Sequence, residues 1–317
     1  MTCIGPDRCE NAAVRDTSAR ASVPRLPTGP GVYRFVDERG RALYVGRAVD
    51  LRRRVASYWG ELRGRRHLRR MVPQIAGIDA IACDSGHEAA WLERNVLERS
   101  KPRWNRTRGG QEVPLFIVVD LDPPALRAVH HASPSDRAFG PYLGGTQVRL
   151  AMSGLLRAFP LHYASTRLTG AERELASVRG FAAANGTDFT AGVIAVLRRD
   201  PVAVSALASD LSARREAATA ALAFELAARL QAEIEALTWI TQEQKVFQPG
   251  GDDATAYGYA DGLLLQLDMR AGRLDGWRIQ PARPGAAAPL VAASPPQWRA
   301  FAQRNADLAV ALRTSSE

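Results

Sequence analysis

The strongest constraint on the fold is a pair of short apolar runs with a turn between them near the start of the chain. Residues 32–36 and 42–45 are rich in β-branched and aromatic side chains, and the turn-forming residues 37–40 separate them. This arrangement predicts a β-hairpin. Asp50 is a helix-capping residue, so a helix is predicted from Leu51 to about Trp59.

The same N-terminal region continues with a basic, helical stretch over residues 62–75, a strand over 78–83 and a helix over 87–101 that stops before Pro102. Together these elements predict an α+β unit with a short antiparallel sheet flanked by helices. Residues 1–26, which are polar and lack periodicity, are predicted to form a disordered leader.

The remaining chain is predicted in three parts. Residues 109–205 form an α+β connecting region, with a strand at 115–119, a turn at 139–142 and a helix at 148–159. Residues 206–247 carry leucines at helical spacing, and this spacing predicts one or two long helices. Residues 248–317 are predicted to hold strands at 262–267 and 277–279 around a turn at 271–272, a flexible stretch at 281–296 and a short terminal helix.

The charge of the chain is concentrated in one segment. The 42 basic residues exceed the 33 acidic residues by nine, and between Gly31 and Arg70 twelve arginines face only four acidic residues. A single basic region on an otherwise balanced chain is typical of a protein that binds a polyanion, most often nucleic acid. The 46% hydrophobic content excludes wholesale disorder, and the sequence contains no apolar run long enough for a membrane span.

Two features indicate the compartment. The three cysteines include no CxxC pair, and residues 1–25 contain charges but no apolar core typical of a secretory signal. We therefore expect a protein of the reducing cytosol with no membrane partner.

Two charged residues fall on faces that helical periodicity predicts to be buried. Arg54 lies on the same face as Leu51, Val55 and Tyr58, and Glu93 falls inside the stripe formed by Ala89, Leu92 and Val96. A charge turned toward apolar surface is costly unless it is paired or holds a ligand. One explanation is an Arg54–Glu93 ion pair without chemistry, or side chains that reach the rim of the core.

The other explanation is a site for phosphodiester chemistry. Tyr33 and Tyr44 alternate with valines in the predicted hairpin, so their hydroxyl groups can project toward the region of Arg54 and Glu93. Arg47 follows Tyr44 closely, and Tyr58 lies one turn beyond Arg54. We favour this explanation because tyrosines, arginines and one carboxylate converge beneath a basic surface.

The motifs in this region resemble a known family. The sequences Gly-Val-Tyr at 31–33 and Tyr-Val-Gly at 44–46, followed by Leu51, Arg54, Tyr58, the segment 88–95 and Lys-Pro-Arg-Trp-Asn at 101–105, are similar to the GIY-YIG nuclease domain of the bacterial excinuclease UvrC. Residues 27–108 are thus identified as a GIY-YIG nuclease domain. Residues 206–247, which contain Phe224, Glu225 and Ala228, resemble the UVR helical hairpin that binds UvrB, although a generic alanine-rich helix is the alternative.

The resemblance implies a catalytic site made of Tyr33, Tyr44, Arg47, Arg54, Tyr58 and Glu93. Glu93 would bind a single divalent ion, Mg²⁺ or Mn²⁺, and Arg54 would hold the scissile phosphate. Tyr33 or Tyr44 would accept a proton from water, with its pKa lowered by Arg47, and Tyr58 would orient the water or the metal shell. The DNA backbone would be contacted by Arg52, Arg53, Arg65, Arg66, Arg69 and Arg70, together with Asn105.

The resemblance also implies a function and its limits. We expect an endonuclease that nicks one strand of damaged double-stranded DNA, on the 3′ side, with Phe224, Glu225 and Ala228 binding UvrB. The alternatives are a catalytically weak DNA-binding adaptor that docks on UvrB, and a mobile-element or restriction nuclease. Because no cysteine follows Cys83, no iron–sulfur cluster is expected. The family's RNase H-like half and helix-hairpin-helix repeats have no counterpart here, so residues 248–317 are interpreted as a remnant of that half.

Overall fold

The computed structural model describes residues 19–60, 66–108, 112–133, 135–164, 168–178, 186–242, 244–248 and 250–313, without the side chains of residues 66, 67, 164 and 186–188. The chain divides into two units. Unit 1 comprises residues 1–111 together with 243–317, and unit 2 comprises residues 112–242. No helix among the described residues is both long enough and apolar enough to cross a membrane.

Unit 1 begins with the predicted hairpin. Strands β1 (Gly31–Val36) and β2 (Ala42–Ala48) pair antiparallel, and β3 (Gly77–Ala82) joins the other side of β1, giving the order β2-β1-β3. The Asp37 side chain closes the turn by accepting backbone N–H groups of Arg39 and Arg41, both at 2.9 Å. The pairing sets Tyr33 opposite Gly46 and Phe35 opposite Tyr44.

Two helices of unit 1 each begin at a residue whose side chain caps the helix. Helix α1 (Leu51–Ala56) starts where the Asp50 carboxylate accepts the Arg53 N–H at 2.8 Å, and it tightens into a 3₁₀ turn at Ser57–Trp59. Helix α2 (Gly86–Arg99) is capped by Ser85. The helix predicted at 62–75 is wrong within the described residues, where 3₁₀ turns occupy Arg66–Arg70 and Val72–Gln74. Pro73 has no N–H to donate, so a continuous helix cannot pass through it.

The described end of the predicted leader is folded. Residues 23–25 form a 3₁₀ turn, and Ala19, Val23 and Leu26 are buried in the same core as Tyr33. The prediction of disorder through residue 26 is therefore wrong for residues 19–26. Their apolar side chains recur at intervals of three and four, which places them on one face against that core.

Unit 2 combines a sheet with helices. Strands β4 (Pro114–Leu121), β5 (Pro124–Val129) and β6 (Ala138–Leu143) form an antiparallel sheet in the order β5-β4-β6. Helices α3 (Gly145–Ala158), α4 (Gly170–Val178) and α5 (Gly186–Leu197) follow. The strand at 115–119 and the helix at 148–159 are confirmed, whereas the turn predicted at 139–142 lies inside β6.

The predicted helical pair is present at the end of unit 2. Helices α6 (Pro201–Ala220) and α7 (Phe224–Thr241) pack against each other, and Leu222 turns the chain between them with a φ of 59°. Leu230 and Leu237 are buried, whereas Leu222 and Leu226 lie at the tip of the hairpin and are 72% and 44% exposed.

The last part of the chain returns to unit 1. Strands β7 (Ala254–Ala260), β8 (Leu263–Arg270) and β9 (Arg273–Pro281) form an antiparallel meander, followed by helices α8 (Pro284–Ala293) and α9 (Pro296–Arg313). The flexible stretch predicted at 281–296 is wrong, because α8 occupies most of it. Alanine favours helix and Pro284 occupies a first-turn position, where proline is tolerated. Helix α9 packs on β3, so this segment completes the N-terminal unit.

Candidate functional site

The hairpin and helix α1 bring three tyrosines together. Tyr33 and Tyr58 are 0% and 1% exposed, and their hydroxyl oxygens lie 2.7 Å apart in a hydrogen bond. The hydroxyl group of half-buried Tyr44 is hydrogen-bonded to that of Tyr58. A Cβ atom at Gly46 would lie 2.5 Å from the Tyr33 hydroxyl oxygen. Only glycine therefore lets the second strand pass this close to the phenol.

Arg54 joins the tyrosines from helix α1, as the helical face predicted. Its Nε donates to the Tyr33 hydroxyl at 3.3 Å, and its guanidinium carbon lies 5.8 Å from the centre of the Tyr58 ring. Leu51, one turn earlier, and the adjacent Val55 are fully buried and fix this face of the helix on the sheet. The half-buried guanidinium is thus held beside the phenols with part of its surface open to a ligand.

Glu93 and Arg47 form an ion pair whose carboxylate acts on Tyr44. The Glu93 carboxylate lies 3.5 Å from Arg47 Nε, and the two side chains keep 22% and 33% of their surface exposed. The negative charge of Glu93 also acts on Tyr44 by raising the pKa of that phenol. The predicted buried stripe of helix α2 is confirmed, with Ala89, Leu92 and Val96 at 5% exposure or less.

Burial controls the protonation of the phenols. Desolvation raises the pKa values of Tyr33, Tyr44 and Tyr58 well above the ordinary value near 10, and Arg54 opposes this shift without reversing it. Arg47 was predicted to supply the opposing positive charge. In the structure it comes from Arg54, because Arg54 donates to Tyr33 while Arg47 pairs with Glu93. All three phenols are therefore neutral near pH 7.

Glu93 offers the kind of oxygen ligand that a hard divalent cation takes. No cluster of three or more histidine, cysteine or acidic side chains suited to a metal occurs among the described residues. Glu93 offers one partly exposed carboxylate beside the hydroxyl-rich group. Mg²⁺ takes one or two carboxylates and fills its other positions with water and phosphate oxygens. Glu93 is the side chain that would hold such an ion.

The predicted DNA-binding residues have mixed placements. Arg52, Arg53, Arg69 and Arg70 are exposed, and Arg52 also donates to the backbone oxygen of Leu26 at 2.7 Å. Arg65 and the side chain of Arg66 lie outside the described residues.

Asn105 differs from its predicted role as a DNA contact. It is 8% exposed, its Oδ1 accepts the Val45 N–H at 2.9 Å and its Nδ2 donates to the Val45 oxygen at 2.8 Å. Both ends of the Asn105 amide hold strand β2, so this side chain orders the strand that carries Tyr44 and is not free to reach DNA.

The predicted partner-binding residues lie at the start of helix α7. Phe224 is 63% exposed, and Glu225 and Ala228 are exposed as well. The neighbouring Leu222 and Leu226 add exposed apolar surface. The hairpin tip thus presents a group of exposed apolar side chains beside one carboxylate.

Comparisons with known proteins find a family match over the residues that form the tyrosine site. Residues 29–106 match the family model of the UvrC-like GIY-YIG domain. UvrABC system protein C from Chlorobaculum tepidum is 30% identical over 301 residues, covering 87% of this chain and 47% of that protein. The protein of the same name from Rhizobium meliloti is 38% identical over 149 residues, covering 45% of this chain and 22% of that protein.

The chain spans less than half the length of these curated relatives. A solved structure of the GIY-YIG N-terminal endonuclease domain of UvrC from Thermotoga maritima, bound to its catalytic divalent cation magnesium, is 28% identical. It covers 27% of this chain and 94% of that chain, and its TM-score of 0.26 is too low to support a structural argument.

Proposed function

Because residues 29–106 of this chain are a UvrC-like GIY-YIG domain, we propose that the chain is a metal-dependent endonuclease that nicks one strand of damaged double-stranded DNA. The observation that carries this proposal is the convergence of Arg54 and Glu93 on the hydrogen-bonded hydroxyl groups of Tyr33, Tyr58 and Tyr44. An ion pair of purely structural value needs no such phenols.

Each residue has a distinct task in this reaction. Arg54 binds the scissile phosphate and neutralises its growing negative charge, since its guanidinium is held by Tyr33 on one side and open on the other. Glu93 would hold Mg²⁺ or Mn²⁺ at a single site, and Arg47 orients that carboxylate through the ion pair. When bound, the ion supplies positive charge for the phosphate and the leaving oxygen.

Tyr44 is the phenol that accepts the proton of the attacking water. Tyr33 and Tyr58 are fully buried, whereas Tyr44 is half-buried and can meet solvent. A proton transferred to Tyr44 requires its phenolate form, which its raised pKa makes scarce near neutral pH. Tyr58 orients the Tyr44 hydroxyl through their hydrogen bond, and Tyr33 fixes Tyr58 in turn.

The biological setting is excision repair, with the cut on the 3′ side of the lesion. This setting is supported by the similarity to proteins named UvrABC system protein C, one of which matches over 87% of this chain. The helical hairpin supports docking on UvrB, because Phe224 and its exposed neighbours Leu222 and Leu226 form an apolar tip. Glu225 adds a charge at the edge of that tip.

A nicking assay with a matched control tests the proposal. The native chain is incubated with Mg²⁺ and a lesion-bearing duplex, with and without UvrA and UvrB, and is compared with Glu93→Gln and with Glu98→Gln. Glu98 lies on the same helix but pairs with Arg94 and Arg273. We expect cutting by the native chain and by Glu98→Gln, and a loss of at least about 100-fold for Glu93→Gln.

Two results would count against the proposal. Equal cutting by Glu93→Gln and the native chain would remove the carboxylate from the reaction. DNA and UvrB binding without cutting under any loading condition would favour an adaptor instead of an enzyme.

A further inference from the structure

A second basic segment lies outside the region whose charge dominates the sequence. Lys101, Arg103, Arg106 and Arg108 are all exposed, and no acidic residue occurs between Glu98 and Glu112. The segment follows helix α2 directly. We name residues 101–108 the basic loop.

The basic loop is fixed to the strand that carries Tyr44. The Trp104 N–H donates to the Leu43 oxygen at 3.1 Å, and the Asn105 amide bonds both backbone groups of Val45. The loop therefore runs along the outer edge of β2, on the side away from β1. Its bonds flank Tyr44 in sequence on both sides.

The loop also shares the face of the sheet on which the phenols lie. Trp104 and Tyr44 pack against the same buried core, which contains Tyr33 and Tyr58. The Arg103 guanidinium carbon lies 5.5 Å from the centre of the Trp104 ring, so its charge is held above this face. Among the described residues, Lys101 and Arg103 form no ion pair with a carboxylate, and Arg108 donates to a backbone oxygen of Glu98.

From this geometry we propose that the basic loop is a contact surface for the DNA backbone beside the catalytic group, a step that rests on the proposed function. The positive charges of Lys101 and Arg103, which have no carboxylate partner among the described residues, repel each other until an anion neutralises them. Phosphate groups of a strand whose scissile bond lies near Tyr44 meet this requirement. Contacts of this kind position the strand and do not read its bases.

Binding of a fluorescein-labelled DNA duplex to the full chain tests the proposal. All proteins carry Glu93→Gln so that the probe is not cut, and affinity is measured as a function of salt by fluorescence anisotropy. Lys101→Gln with Arg103→Gln is compared with Arg270→Gln and Arg283→Gln, which removes two exposed arginines from the C-terminal part of the same unit. A further variant, Arg103→Lys, keeps the charge.

We expect the loop variant to bind on the order of tenfold more weakly, with a salt slope shallower by roughly one per lost phosphate contact. The control pair and Arg103→Lys should bind like the parent protein. Circular dichroism melts of all variants should coincide, since the substituted side chains are exposed.

Three outcomes would overturn the proposal. Unchanged affinity and salt slope in the loop variant, while Arg52→Gln with Arg53→Gln weakens binding, would place the backbone contacts elsewhere and leave the proposed function intact. Equal weakening by the loop variant and the control pair would show a general charge effect. Absence of salt-dependent binding by the parent protein would refute the proposed function together with the loop.

Discussion

Both outer edges of the N-terminal sheet are closed by an asparagine side chain, so removing one of these side chains should lower the free energy of unfolding. Asn105 bonds both backbone groups of Val45 on β2, and Asn305 accepts the Ala82 N–H at 2.7 Å and donates to the Ala82 oxygen at 3.2 Å on β3. Each amide thus replaces the strand that an edge lacks. Both asparagines are buried, so water does not substitute readily when they are removed.

The perturbation is Asn105→Ala. It leaves one buried N–H and one buried carbonyl group of Val45 without partners, and each costs about 1–3 kcal/mol, so the free energy of unfolding should fall by roughly 2–6 kcal/mol. Because Val45 follows Tyr44 directly, we also expect loss of nicking. Asn305→Ala is the matched control, with a comparable loss of stability at the edge far from Tyr44 and with nicking retained.

The assays are urea unfolding followed by tryptophan fluorescence, hydrogen exchange of the β2 and β3 peptides, and nicking of a lesion-bearing duplex. Asn105→Ala should speed exchange in β2, and Asn305→Ala should speed exchange in β3. An unchanged urea midpoint for Asn105→Ala would show that its amide does not stabilise β2. Equal loss of nicking in both variants would show a general effect of instability and not a specific link between β2 and Tyr44.

Three further predictions follow from the same contacts. The nicking rate should rise about tenfold per pH unit between about pH 7 and pH 9, because burial raises the pKa of Tyr44, and a plateau in that range would contradict this assignment. Tyr58→Phe should lower nicking by about 100-fold or more with DNA affinity unchanged by anisotropy, since it removes the hydroxyl that orients Tyr44. Glu233→Ala should lower the free energy of unfolding by about 1–3 kcal/mol in urea melts, because it leaves Arg157 and Arg229, both partly exposed, without their buried carboxylate, and an unchanged midpoint would exclude that role.

Local sequence patterns predicted the elements that carry the site. The run of β-branched and aromatic residues at 32–36 predicted β1, and the cap at Asp50 predicted where α1 begins. Helical periodicity placed Arg54 on the face of Leu51, where the structure has it. These successes share one property, because each depends on residues within a few positions of one another.

The failures depend on contacts between distant parts of the chain. Asn305 lies 223 residues from the Ala82 backbone groups that it binds, so no local pattern could place helix α9 against β3. The role of Asn105 depends in the same way on Val45, which is 60 residues away. The choice of Arg47 over Arg54 as the partner of Glu93 is set by side-chain geometry, which the charge pattern does not encode.

Burial favours the neutral form of the three phenols, and this affects the proposed proton transfer to Tyr44. A buried tyrosine whose pKa is raised on folding favours the neutral form, so it contributes stability that is full below about pH 10 and is lost as the pH rises through the folded pKa. The same shift makes Tyr44 a weak acid and its phenolate a strong base. Arg54 lowers the pKa of Tyr44 only in part, and a divalent ion held by Glu93 would add the positive charge that favours the phenolate. Under the proposed function, cutting would therefore depend on the ion, because the charges of the folded chain alone leave Tyr44 protonated near neutral pH.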